Sequence, residues 1–129
     1  MTIRILAAAL ALAAFSAPAF ADGDAAEGKN VFKKCMACHT ADKEQNKVGP
    51  HLVGIAGRVI GSNAEFADKY SAGLKAMGAE GKVWDDANLT AYLTKPKEFN
   101  PDSKMAFAGL PKPEDIANVI AYLKADPKP

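Results

Sequence analysis

The sequence predicts an all-α fold, about five short helices and irregular loops wrapped around one central group. Apolar residues recur at helical spacing, most clearly Ile116, Val119, Ile120 and Leu123, and no stretch alternates polar and apolar as a half-buried strand would. Between Thr40 and Gly61 stand five glycines or prolines, Gly49, Pro50, Gly54, Gly57 and Gly61, which suits a loop that wraps something. Aromatic residues are only 8% of the chain, so a bulky apolar group at the centre would supply mass that the helices lack.

The elements follow in chain order. Residues 1–21 read as a secretory leader: basic Arg4, the apolar run Ile5–Phe15, and Ala19-Phe20-Ala21 as the cleavage site. The run of 11 residues is too short for a membrane anchor, which needs roughly 20. The mature chain, residues 22–129, is then one domain, with no later segment apolar enough to span a membrane. Asp24 caps a first helix, Glu27 completes a capping-box-like pair, and Val31, Phe32 and Cys35 face inward. Short helices are expected near Ala64–Lys69 and Ser71–Met77. A firmer one begins at Asp85 or Asp86 and ends before Pro96, with Leu89, Tyr92 and Leu93 on its apolar face. The last helix takes Pro113 in its first turn, with Glu114 and Asp115 at the positive end of its dipole.

Chemistry concentrates in Cys35-Met36-Ala37-Cys38-His39. Two thiols two residues apart, followed at once by an imidazole, can hold a haem: each cysteine adds across a vinyl group, and the histidine lies beneath the iron. A dithiol redox pair or half of a zinc site are the competing readings. Zinc would need further ligands, and beyond the motif the chain offers no other cysteine and one other histidine, His51, to which no ligand role is assigned. Export to an oxidising compartment would drive Cys35 and Cys38 to a disulfide unless haem engages them.

The iron needs a sixth ligand or an open site, and that choice separates a carrier from a haem enzyme. Met1 leaves with the leader, and Met36 lies inside the motif, unable to reach the opposite haem face. Met77 sits in the helical Gly73–Gly78 stretch, where methionine more often fills gaps. Met105 sits in Pro101–Gly109, a segment bounded by Pro101 and Pro111 that can lie across a flat ring, and is the preferred ligand, with plain packing as the alternative. Charge excludes another class. The chain has 16 basic and 15 acidic residues, and without Arg4 the two are equal, so whole-molecule attraction to nucleic acid is not supported.

On these motifs the chain resembles a class I cytochrome c, close to the mitochondrial type and to the periplasmic carriers called cytochrome c2, over Gly28 to Leu123. The resemblance implies the cytochrome c fold with one covalent haem c, Cys35 and Cys38 as thioether attachments, and His39 and Met105 as axial ligands. It implies that Gly28, Phe32 and Tyr122 bring the terminal helices together, and that the Pro50 carbonyl accepts the His39 Nδ1 hydrogen. Arg58, Tyr70, Trp84 and Ser103 correspond to propionate partners, and Tyr92 to the tyrosine near the methionine sulfur. Leu74 replaces an asparagine that contacts internal water in the mitochondrial type. In the family, lysines ring the exposed haem edge; here Lys33, Lys34, Lys47, Lys95, Lys97, Lys104 and Lys112 flank the ligand-bearing segments.

The implied function is a soluble periplasmic one-electron carrier, not an enzyme, and a monomer. It would shuttle between a quinol-oxidising cytochrome bc complex and an oxidase or photosynthetic reaction centre, membrane complexes with acidic docking faces. A haem enzyme or sensor with an open sixth site, and a haem subunit of a dehydrogenase, are the alternatives.

Overall fold

A computed structural model describes residues 22–129, so the expected leader, residues 1–21, lies outside the described residues. Five α-helices follow one another: α1 (Ala25–Phe32), α2 (Ala72–Ala79), α3 (Asp86–Thr94), α4 (Pro96–Phe99) and α5 (Pro113–Lys124). A 3-10 helix, Ala64–Lys69, precedes α2, with the Asn63 side chain accepting from the Glu65 N–H at its start. The only β feature among the described residues is an isolated antiparallel bridge between Val59 and Val83. Helix α4 was not expected. Pro96 ends α3 and at the same time supplies the preset φ for a new first turn, so one proline does both jobs.

Helix α1 is capped by Asp24, whose carboxylate accepts from the backbone N–H of Ala26 and Glu27 at 2.8 and 3.1 Å. The expected capping box with Glu27 is not what forms. The Asp24 N–H, which Glu27 would have to reach, donates instead to Asn118 Oδ1 of α5 at 2.8 Å. A tertiary bond thus replaces a local one, and it ties the start of α1 to α5.

The α1–α5 crossing is the main helical contact. Phe32 and Tyr122 pack with ring centroids 5.3 Å apart. Gly28 makes the close approach possible: a Cβ there would collide with the Asn118 carbonyl and stand 2.8 Å from Tyr122 Cβ. Because a backbone oxygen cannot swing aside, Gly28→Leu should cost about 3 kcal/mol and lower the melting temperature of the haem-loaded protein by more than about 10 °C. Thermal denaturation followed by circular dichroism checks this; an unchanged melt would show that the helices can separate freely. Beyond the end of α5 the Lys128 ammonium donates to the carbonyls of Tyr122, Leu123 and Ala125 at 3.1, 2.9 and 3.0 Å. It thereby satisfies acceptors that the helix leaves open.

The core runs from this crossing through Ile116, Val119, Ile120 and Leu123 of α5 to Leu89 of α3, Leu110, Ile60 and Trp84. Trp84, Tyr92 and Phe99 form an aromatic group with centroids 5.0 to 5.8 Å apart, at distances where ring pairs attract.

Candidate functional site

Helix α1 leads directly into the cysteine motif. The Cys38 and His39 N–H groups both donate to the Cys35 carbonyl, at 3.1 and 2.9 Å, so the motif coils tightly and brings the two sulfurs and the imidazole onto one short turn. Cys35 and Cys38 form no disulfide and are half-buried. Burial pushes the Cys35 thiol above its ordinary value, with Lys34 opposing.

His39 is gripped from two sides. Its Nδ1 lies 2.7 Å from the Pro50 carbonyl. A carbonyl can only accept, so Nδ1 carries the hydrogen and Nε2 keeps a free lone pair. The backbone at Gly49 lies against the ring, so closely that a Cβ would stand 2.8 Å from Nδ1 and 2.9 Å from Nε2. The Gly49 N–H in turn donates to the Cys38 carbonyl at 2.9 Å, which fixes the loop on the motif. Burial holds the imidazole pKa below its ordinary value, with the Pro50 hydrogen bond opposing and Lys47 adding to the lowering. That direction favours the neutral ring, the form a metal ligand needs. The Thr40 hydroxyl, just after the motif, lies 2.8 Å from the carbonyls of both Lys43 and Gln45 and shares its one hydrogen between them, closing the start of the loop.

Met105 lies in an extended segment whose residues alternate in exposure: Ser103, Met105 and Phe107 are half-buried, while Lys104, Ala106 and Ala108 face solvent. Tyr92 Oη stands 3.9 Å from Met105 Sδ. The Ser103 hydroxyl accepts from the Met105 N–H at 3.3 Å. Burial raises the Tyr92 phenol above its ordinary value, with the Ser103 hydroxyl opposing, so Tyr92 stays a neutral donor. Met77 packs half-buried against the core, and Met36 is 54% exposed.

Arg58 gives Nη1 to the Val53 carbonyl and Nη2 to the His51 carbonyl, both at 3.1 Å, which anchors the loop after Pro50. Tyr70 is buried and its hydroxyl accepts from the Asn63 N–H at 3.2 Å. Trp84 is buried in the aromatic group. Leu74 is half-buried against the core, so an apolar side chain occupies the place of the family asparagine. The seven lysines Lys33, Lys34, Lys47, Lys95, Lys97, Lys104 and Lys112 are all exposed. Two of them are engaged: Lys47 Nζ donates to the Met36 carbonyl at 2.7 Å, and Lys95 pairs with Glu98 at 3.3 Å.

Sequence reasoning did not single out Asn63 and Asn46, whose side chains bond each other at 2.9 Å and steady the loop above Tyr70. Nor did it single out Asn100, whose side-chain amide donates to Ser71 Oγ at 2.8 Å inside the protein. The Asn-Pro step at 100–101 marks a turn, which was the one available signal; it does not say that the asparagine is buried.

Two cysteine sulfurs and an imidazole on one turn, with a half-buried tyrosine hydroxyl beside a thioether, make a donor set suited to haem c. The model of the family described as cytochrome c matches residues 25–125.

The chain belongs to the cytochrome c family.

The chain is 46% identical over 103 residues to the cytochrome c2 of Agrobacterium tumefaciens, covering 79% of this chain and 91% of that protein. It is 48% identical over 102 residues to a cytochrome c homolog of Rickettsia felis, 78% of this chain but 55% of that protein, so the chain spans about half the length of that relative. Among solved structures, cytochrome c2 from Rhodospirillum centenum superposes with a TM-score of 0.73 at 38% identity, covering 79% of this chain and 97% of the other. The protein is thus a class I c-type cytochrome of the c2 type, with the cytochrome c fold and one covalently attached haem c.

Proposed function

We propose that this cytochrome is a soluble one-electron carrier of the periplasm, exported with residues 1–21 removed after Ala21, and working as a single-domain monomer of residues 22–129. It holds its haem through Cys35 and Cys38 and ligates the iron with His39 Nε2 and Met105 Sδ. The observation that carries the ligand set is the pairing of two second partners, Pro50 carbonyl on His39 Nδ1 at 2.7 Å and Tyr92 Oη at 3.9 Å from Met105 Sδ.

The haem supplies an iron that cycles between ferrous and ferric. The chain's own residues decide how. The Pro50 carbonyl fixes the His39 tautomer and strengthens its donation. A methionine thioether stabilises the reduced state and so raises the potential. With His39 and Met105 both engaged, the iron would have no open position for small molecules, and electron exchange would be the chemistry left to it. Arg58, Tyr70, Trp84 and Ser103 stand as donors for the propionates, since a buried carboxylate without partners is costly. Arg58 can do this while holding the His51 and Val53 carbonyls, because a guanidinium has five N–H groups.

Docking would take place beside the attachment cysteines, where Met36 and Val48 are 54% and 77% exposed. Lys33, Lys34, Lys47, Lys95, Lys97, Lys104 and Lys112 steer acidic faces of membrane redox complexes: a quinol-oxidising bc complex as donor, and an oxidase or photosynthetic reaction centre as acceptor. Rim charges act mainly on the encounter rate. Second-order electron-transfer rates with the natural partner should therefore fall as ionic strength rises past about 0.1 M, where the screening length is about 10 Å. Stopped-flow measurement over a salt series checks this, and a flat profile would remove the lysines from the docking face. The optical spectrum tests the ligand set: ferric protein should show the weak far-red charge-transfer band of methionine sulfur on iron.

A further inference from the structure

The segment carrying Met105 is fastened at both ends and free between. At its far end the Leu110 N–H donates to the Leu93 carbonyl of α3 at 2.8 Å. At its near end the fastening is made by side chains and reaches across to α2. Asn100, fully buried, donates Nδ2 to Ser71 Oγ at 2.8 Å, and Ser71 is the residue that caps α2. Two residues on, the Asp102 carboxylate accepts from the Gly73 N–H in the first turn of α2, its oxygens at 3.3 and 3.2 Å. From there the connection to the sulfur is short. The Asn100 carbonyl accepts from the Ser103 N–H at 2.9 Å, and the Ser103 hydroxyl accepts from the Met105 N–H.

Asn100 is an expensive choice for stability alone. Its Oδ1 is buried with no hydrogen-bond partner, whereas an apolar residue of the same shape would leave nothing unsatisfied. What the amide provides, and an apolar side chain would not, is a directional tie between the methionine segment and α2.

We propose that Asn100 and Asp102 are positioning residues that latch the Met105 segment to the start of α2 and so set how often the sulfur leaves the iron. The inference rests on Met105 being the iron's ligand. Breaking the latch leaves Met105 and Tyr92 in place but makes opening of the segment more frequent. An added nitrogen ligand then replaces the thioether more readily, with no electron gained or lost.

Imidazole is the probe, added to the purified ferric, haem-loaded protein, with loss of the far-red sulfur band followed in time. At saturating imidazole the rate reports sulfur departure. Asn100→Leu, which keeps the shape, should raise that rate roughly tenfold, as losing one buried hydrogen bond implies. Asp102→Ala, at an exposed position, should raise it a few-fold, and Asp102→Asn, which retains an acceptor, should restore most of the parent rate. Lys128→Ala, which loosens the end of α5, should lower the melting temperature and leave the rate unchanged. Rates in Asn100→Leu and Asp102→Ala equal to the parent, or rising only as far as in Lys128→Ala, overturn the latch. If Asn100→Leu does not fold, the Asp102 pair decides. A parent protein without the sulfur band removes the ligand reading itself; a parent with the band but unmoved rates removes the latch alone.

Discussion

Met105→Ala is expected to keep its haem and lose its character as a carrier. The thioether bonds at Cys35 and Cys38 do not depend on the sixth ligand, so the pigment remains attached through denaturation. The far-red sulfur band should vanish, ferrous protein should bind carbon monoxide, and the potential should drop by a sizeable part of the roughly 0.8 V over which axial ligands move haem. The sign follows from the thioether's preference for the reduced state. Tyr92 would be left half-buried with its hydroxyl beside the gap, so water is expected to enter and to occupy the vacated position on the ferric iron. An unchanged spectrum in this variant would transfer the sixth position to another residue, with Met77 the first to test.

The second large effect is on folding. With both attachment cysteines replaced, Cys35→Ser and Cys38→Ser, the haem-free chain should lose most of its helical far-UV circular dichroism and melt without a cooperative transition. The apolar side chains of Leu52, Leu74, Leu93 and Phe107 are only partly buried by protein, and they pack at the edge of the core. The segment from Ser103 to Gly109 forms no regular element, and its backbone ties lie at its two ends. Chain entropy of roughly 1–2 kcal/mol per ordered residue must be offset by burial, and the haem faces supply the missing contacts. In such proteins the free energy of binding the group is largely the free energy of folding. Near-native ellipticity with a sharp melt in the haem-free variant would show that the polypeptide core suffices.

The parts legible from sequence were those written in local pattern. The last helix carries its own start signal in Pro113, Glu114 and Asp115 and its own apolar stripe, and it runs Pro113–Lys124. Asp24, Asp85 and the loop glycines likewise declare themselves by type and place. What the sequence could not reveal depended on partners distant in the chain. The Asp24 N–H went to Asn118 rather than to Glu27, 94 residues away rather than three. Asn100 reads as a loop residue before a proline, and only the fold shows it buried against Ser71, 29 positions earlier. Arg58 reads as a propionate partner, and the fold also gives it two loop carbonyls to hold. Spacing carries the covalent motif because its chemistry is local; it cannot carry contacts made when two loops meet.

The central claim is that His39 and Met105 seal the iron, so that the protein exchanges electrons and nothing else. Exposure of the reduced wild-type protein to carbon monoxide, followed in the visible spectrum, tests it most directly. A sealed centre gives no spectral change at neutral pH, while Met105→Ala under the same gas gives a full one. Ready formation of a carbon monoxide adduct by the wild-type protein would mean an open sixth position, and with it a ligand-binding haem protein rather than a carrier.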